Sequence, residues 1–166
     1  MTRLLTVILA TGLLVFTNQS FALKSDKDQP MDIAADRVDI DDNKGISTFR
    51  GNVQVTRGTL RISGEVVVVH RTSNGELQRI VATGKQAMYR QRPDNKPKDV
   101  IAHANKIVYK ANSEIVDLTT QAKVVQGGDT FSGEHLVYNA RQDKVTATGD
   151  GNGKGRVRVR LQPKVK

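Results

Sequence analysis

The segment Phe49-Arg50-Gly51-Asn52-Val53-Gln54-Val55-Thr56-Arg57-Gly58-Thr59-Leu60-Arg61-Ile62-Ser63-Gly64-Glu65 decides the fold. Phe49, Val53 and Val55 share a face on either side of Gly51, Arg57-Gly58 supplies a turn, and Leu60 and Ile62 resume the alternation. Apolar residues at every second position belong to a β-strand with one buried face. Glycine beside polar residues marks the reversals, because it reaches positive φ without steric cost. The same pattern returns 69 residues later without a gap: Ile46 corresponds to Ile115, Val55 to Val124, Gly58 to Gly127, Ser63-Gly64-Glu65 to Ser132-Gly133-Glu134, and Val68 to Val137. Beyond His70 the frame slips by four residues, so that Ala82-Thr83-Gly84 corresponds to Ala147-Thr148-Gly149. A slip of that size falls in a predicted loop, where it costs little. A unit repeated in this way cannot bury its own apolar face, so the copies must stack into an extended β-structure with two open ends.

Four strand–turn–strand units cover residues 35–51, 64–84, 104–120 and 133–149. Val38 and Ile40 share a face in the first, Ile107 and Tyr109 in the third, Leu136 and Tyr138 in the fourth. Asp41-Asp42-Asn43-Lys44-Gly45, Asn74-Gly75 and Gly127-Gly128-Asp129 punctuate these runs with turn chemistry. Turns at about every tenth residue are the rhythm of an all-β sandwich or roll. No segment carries a helical stripe. Residues 23–30 read as a flexible lead-in. In residues 156–161, Val157, Val159 and Leu161 alternate with Arg156, Arg158 and Arg160, which predicts a last half-buried strand with a cationic outer face.

Composition narrows the function. Of the 166 residues, the first 22 read as a cleavable signal peptide: Arg3, an apolar run over 4–16, then Ser20-Phe21-Ala22 as a small-x-small site. The run is shorter than the roughly 20 residues a membrane-spanning helix needs. With no cysteine there are no disulfides, thiolate metal sites or thiol nucleophiles. The net charge of +9 favours anionic partners. Export and an aromatic content of 4% argue against nucleic acid, which needs rings to stack its bases. Anionic lipids or glycolipid phosphates suit an exported protein better; the other reading of the charge is that it keeps an exposed sheet soluble. His70, His103 and His135 have no metal-ligand spacing, and the loop opening at Asp150 lacks the closing carboxylate of a calcium site. The expectation is a protein that is not an enzyme and uses no cofactor or metal.

The inward row predicted from the alternation is Val38, Ile40, Phe49, Val53, Val55, Ile62, Val67, Val69, Met88, Ile107, Tyr109, Leu118, Phe131, Leu136 and Tyr138, with Leu60 and Ile80 beside them. It reads either as an ordinary sandwich core or as a trough for acyl chains. At about 0.8 kcal/mol per buried CH₂, one chain of about twelve carbons would gain on the order of 9 kcal/mol there. The terminal runs, Pro30-Met31-Asp32-Ile33 and residues 156–161, are unlike edges. Such edges either pair head to tail into an open filament or are blunted by Pro30 and the arginines.

The leader, the run Asp28-Gln29-Pro30-Met31-Asp32-Ile33, and the Phe-x-Gly-Asn-Val-x-Val-x-x-Gly pattern at 49–58 together resemble the OstA-like (LptA) family of lipopolysaccharide-transport proteins. Val67-Val68-Val69 before Arg71 and His103-Ala104 before Tyr109 extend the resemblance over residues 23–162, leaving 163–166 as a short basic tail. The resemblance implies an open, V-shaped antiparallel β-jellyroll in the periplasm that binds lipopolysaccharide through its lipid A moiety. It also implies head-to-tail stacking with further copies, with an LptC-like inner-membrane protein and with an LptD-like outer-membrane protein. It places Met31, Ile33 and Arg71 at the edge docking on the LptC-like partner, and Met88 and Tyr109 among lipid-facing positions. A monomeric soluble periplasmic lipid shuttle is the competing expectation.

Overall fold

Among the described residues ten antiparallel strands follow a 3-10 turn at Asp26–Asp28: β1 Met31–Ala34, β2 Arg37–Asp41, β3 Ile46–Arg57, β4 Leu60–Arg71, β5 Leu77–Gln91, β6 Val100–Lys110, β7 Ile115–Gln126, β8 Asp129–Asn139, β9 Lys144–Thr148 and β10 Arg158–Arg160. The structure, a computed structural model, describes residues 25–94, 96–151 and 155–163. The leader at 1–22 and, of the tail at 163–166, residues 164–166 lie outside the described residues. The strands hydrogen-bond in the order β1-β3-β4-β5-β6-β7-β8-β10, with β2 also on β3 and β9 also on β8.

The six central strands are 11 to 15 residues long, about twice the usual length. Each is interrupted near its middle. The register shifts fall between Arg50 and Val53, Ser63 and Val66, Thr83 and Ala87, His103 and Lys106, and Thr119 and Ala122. They line up across neighbouring strands as one crease, and bulges bend a strand, so the sheet folds over along that line. One layer holds β2, the halves of the long strands near residues 46–50, 66–71, 77–83, 106–110, 115–119 and 135–139, and β9. The other holds β1, the remaining halves and β10. Tyr89 and Tyr109 meet between the layers with ring centroids 6.0 Å apart.

The sequence repeat becomes a structural one. Val53 opposite Gly64 and Val55 opposite Ile62 on β3–β4 recur as Ala122 opposite Gly133 and Val124 opposite Phe131 on β7–β8. A β-carbon on Gly64 would lie 2.9 Å from the Thr83 carbonyl oxygen, and one on Gly133 would lie 3.1 Å from that of Thr148. The glycine of each Ser-Gly-Glu therefore allows the same close approach at the crease. The four units predicted from the sequence are the four hairpins of the first layer, with their boundaries at the fold line.

Three expectations are corrected. The lead-in is not loose: the 3-10 turn is tied to the body through Asp26, whose carboxylate accepts hydrogen bonds from Thr59 Oγ1 and Gln91 Nε2, both at 2.7 Å. The last strand is short and exposed throughout, not half-buried. Met88 does not face inward. Period two continued from Ile80 and Ala82 lands on Met88, but the bulge with Gln86 at φ 65° inserts a residue, so Ala87 and Tyr89 are buried instead. Met88 sits on the outer face opposite Ser63 and His103.

At the crease of β3 and β7 the repeat places Gly51 (φ 80°) and Thr120 (φ 65°) in equivalent left-handed positions. A β-branched residue is strained there and glycine is not. Thr120→Gly is expected to raise the unfolding free energy by about 0.5–1 kcal/mol, the net of relieved strain and glycine's extra unfolded-state entropy. Denaturant titration checks this.

Candidate functional site

Alternation along the strands gives the folded sheet an apolar inner face. In the central strands Val53, Val55, Ile62, Val67, Val69, Ile107, Tyr109, Leu118, Leu136 and Tyr138 are each 4% exposed or less. Phe49 and Phe131 pack half-buried against the same cluster. The two layers touch along the middle, where aliphatic side chains and tyrosine rings fill the space between them. Toward the ends the cover runs out. Val38 lies opposite Phe49 and Ile40 opposite Ser47, which puts both on the inner face, yet they are 51% and 56% exposed. At the other end Val159 lies opposite Phe131 and is 53% exposed, with Val157 and Leu161 uncovered beside it. Among the described residues these five are the exposed large hydrophobics, and all of them stand at the two ends.

All three tyrosines of the chain point into this interior. Tyr89 Oη donates to Gln91 Oε1 at 2.5 Å, whereas Tyr138 Oη is buried with no hydrogen-bond partner among the described residues. Burial pushes the phenols of Tyr109 and Tyr138 up to about 12, helped by the negative charge of Glu114 near both, and raises Tyr89 well above the usual value. A polar atom such as an ester or hydroxyl on an acyl chain entering here would find the Tyr138 hydroxyl unengaged.

Opposite the crease, the hairpin tips of the two layers form a mouth, and polar side chains clasp it. Asp26 holds the 3-10 turn to one layer, where its carboxylate also accepts the Thr59 backbone N–H at 2.5 Å. Next to it, Lys27 pairs with Glu114 on the other layer, and Arg141 Nε lies 3.3 Å from the same carboxylate. Partial burial pushes the Glu114 carboxyl up, but Lys27 and Arg141 outweigh it and hold the group below its ordinary value. Farther along, Lys96 Nζ and Asp143 join the layers at 2.5 Å, with Gln126 donating to the same carboxylate. A cleft of about 720 Å³ opens beside the first clasp, with Met31, Leu77 and Ala111 as apolar lining and Lys27, Arg57, Arg71 and Arg141 as cationic lining.

Of the residues expected at the docking edge, Met31 and Ile33 share one face of β1 and both pack on the core, and Met31 and Arg71 line this cleft. Arg71, at the end of β4, is engaged by Asp42 in the β2–β3 turn, Nη2 to Oδ1 at 2.9 Å. The sequence reading missed Tyr89 and the clasp. Gly84 inside a strand pattern is the signal of a bulge that would have found Tyr89. Nothing in Ser25-Asp26-Lys27-Asp28 announces a contact with residues more than 30 positions away.

Residues 32–144 match the family described as LptA/(LptD N-terminal domain) LPS transport protein. The chain belongs to that family. It is 35% identical over 131 residues to the lipopolysaccharide export system protein LptH of Pseudomonas aeruginosa, covering 79% of this chain and 75% of LptH. It is 34% identical over 147 residues to the lipopolysaccharide export system protein LptA of Escherichia coli K12, covering 88% of this chain and 79% of LptA. The crystal structure of Pseudomonas aeruginosa LptH, described as the LptA-homologous periplasmic component of a conserved lipopolysaccharide transport device, superposes with a TM-score of 0.76 at 33% identity, over 84% of this chain and 99% of that one. The open antiparallel roll expected from the sequence is thus the fold of the family.

Two outcomes follow from the interior and its mouth. A phenol with a higher pKa folded than unfolded (about 10) contributes fully to stability below pH 10, and this contribution is lost as pH rises toward 12. Alkaline titration should therefore show tyrosinate absorbance appearing together with the loss of β-sheet circular dichroism, not before it. Lys27→Ala removes a half-exposed ion pair, so global stability should fall by about 1 kcal/mol or less. Uptake of a fluorescent acyl probe should quicken by roughly fivefold if that pair must open for entry, as stopped-flow fluorescence would show.

Proposed function

We propose that this chain is a periplasmic lipopolysaccharide-binding bridge protein, conducting the lipid from the inner to the outer membrane by stacking end to end with like-folded partners. One observation carries the reading: the apolar inner face runs the length of the roll and emerges uncovered at both ends. A core that serves only stability closes over its ends. An inner face left open at each end continues into whatever docks there. Membership in a family of lipopolysaccharide-transport proteins supplies the cargo class.

Acyl chains lie between the layers, displacing contacts that the layers otherwise make with each other. The phosphorylated sugars stay at the mouth, within reach of Lys27, Arg57 and Arg141. The flanking partners are an LptC-like inner-membrane protein and an LptD-like outer-membrane protein, whose like-folded edges continue the sheet. Directional movement draws on energy supplied from outside this chain, whose role is to bind and conduct. A monomeric shuttle would cover its apolar ends, so Val38, Ile40, Val159 and Leu161 favour the bridge.

Photo-crosslinkers separate a conduit from a solid core. A benzoylphenylalanine at Tyr89, Ile107 or Tyr109 should capture lipopolysaccharide in cells, and one at Met88 or Lys106, on the outer face, should not. Equal capture at both parities, or at neither, would sink the trough.

A further inference from the structure

The two ends of the roll carry opposite charge on matching faces. Residues 26–42 hold seven aspartates against Lys27 and Arg37, whereas residues 156–166 hold five lysines and arginines and no acid. Some of these charges are already engaged: Asp26 by Thr59 and Gln91, Asp36 by Asn52, Asp41 by Lys44, Asp42 by Arg71. Asp32 on β1 and Asp39 on β2 are exposed and have no ion-pair partner among the described residues, and the same holds for Lys144 on β9 and for Arg158 and Arg160 on β10.

Layer, face and strand direction all agree. Edge strands β1 and β10 belong to one layer, and β2 and β9 to the other. Asp32 lies opposite Thr56 and Asp39 opposite Thr48, on the outer face; Lys144 lies opposite Asn139, and Arg158 and Arg160 opposite Ser132 and Thr130, also on the outer face. Inner-face residues at the same edges are apolar: Ile33, Val38 and Ile40 at the head, Val145, Ala147 and Val159 at the tail. Each layer runs through eight antiparallel strands, β1-β3-β4-β5-β6-β7-β8-β10 and β2-β3-β4-β5-β6-β7-β8-β9. An even count makes the two edges of a layer point in opposite directions. A second copy in the same orientation therefore meets the first with antiparallel edges in both layers, apolar against apolar inside and acid against base outside.

We propose that the sign of these edge charges selects the join: the basic tail of one copy pairs with the acidic head of the next, and head-to-head or tail-to-tail joins are rejected by like charge. Resting on the stacking reading of the function, it names the residues that choose which ends of two copies meet. Exposed sheet edges recruit one another through unpaired backbone groups with little discrimination, and charge of opposite sign at the two ends supplies the missing discrimination. The contacts are solvent-exposed, so they act chiefly on specificity and encounter rate and are screened by salt.

Charge reversal tests this on the purified protein. Asp32→Lys/Asp39→Lys reverses the sign of the unpaired aspartates on the head strands, and Arg158→Glu/Arg160→Glu reverses the sign of the unpaired arginines on β10. All four sites are exposed, so each variant should melt as the parent does. The parent should self-associate, and association measured by sedimentation velocity should weaken by about tenfold between about 0.05 M and about 0.5 M salt. Each reversed protein alone should associate at least about tenfold more weakly. An equimolar mixture of the two should recover association, because each tail then meets a head of opposite sign. Reversed proteins that associate like the parent, or a mixture that fails to recover while the parent associates, would overturn the charge code. A parent that stays monomeric at every concentration and salt would overturn the choice of a second copy as partner. Binding of purified lipopolysaccharide, titrated in parallel, should be the same in all three proteins. Its absence from the parent would sink the conduit reading and leave the association result to stand or fall alone.

Discussion

Everything in this molecule depends on a row of interruptions in its hydrogen-bond ladders. A flat antiparallel sheet of strands 11 to 15 residues long has no core, because its apolar face has nothing to lie against. The bulges at Gly51-Asn52, Gly84–Gln86 and Thr120-Gln121 occur on alternate strands, and the partner strands accommodate them by a shift of register. Because the interruptions line up, the sheet can close on itself like a book. Small residues occupy the hinge: Gly64, Ala87, Ala104, Ala122 and Gly133 leave room for backbones to approach. The two faces that come together are then the two halves of one apolar surface, and no second sheet is needed.

Closure by folding, rather than by joining first strand to last, is what leaves the ends free. A barrel satisfies its edges with each other. Among the described residues β1, β2, β9 and β10 each keep an unpaired side. The cost is exposure of aliphatic side chains at both ends, and the arrangement is tolerable only if something covers them or charge discourages the wrong cover. The mouth is treated differently. It is crossed by ion pairs between partly exposed groups, which resist opening only weakly. The crease is thus the stiff side of the roll and the mouth the compliant one.

The sequence made the repeat, the strands and most of the inner face legible, for a physical reason. Period two survives wherever a strand is regular, and residues such as Val55, Ile62, Leu118 and Val124 fall in regular stretches. It fails one step past a bulge, which is why Met88 looks inward by counting and lies outward in space. The unit boundaries at Gly51, Gly64, Gly84, Ala104, Thr120 and Gly133 were visible as composition; that they form a single fold line is a statement about register between strands, which no local pattern encodes. Long-range polar contacts such as Asp26 with Gln91 and Lys27 with Glu114 were illegible for the same reason. The exposure of Val38 and Val159 was not readable from hydropathy either, since an uncovered strand face and a covered one are spelled alike.

One property of the interior bears on what the conduit excludes. Its middle is filled by its own side chains, with Tyr89, Tyr109 and Tyr138 all buried. An empty roll is therefore sealed, and space exists only where a passenger has pushed the walls aside. Among the described residues the packed middle leaves no standing channel for water. A crossing between two membranes built from such segments adds no standing leak.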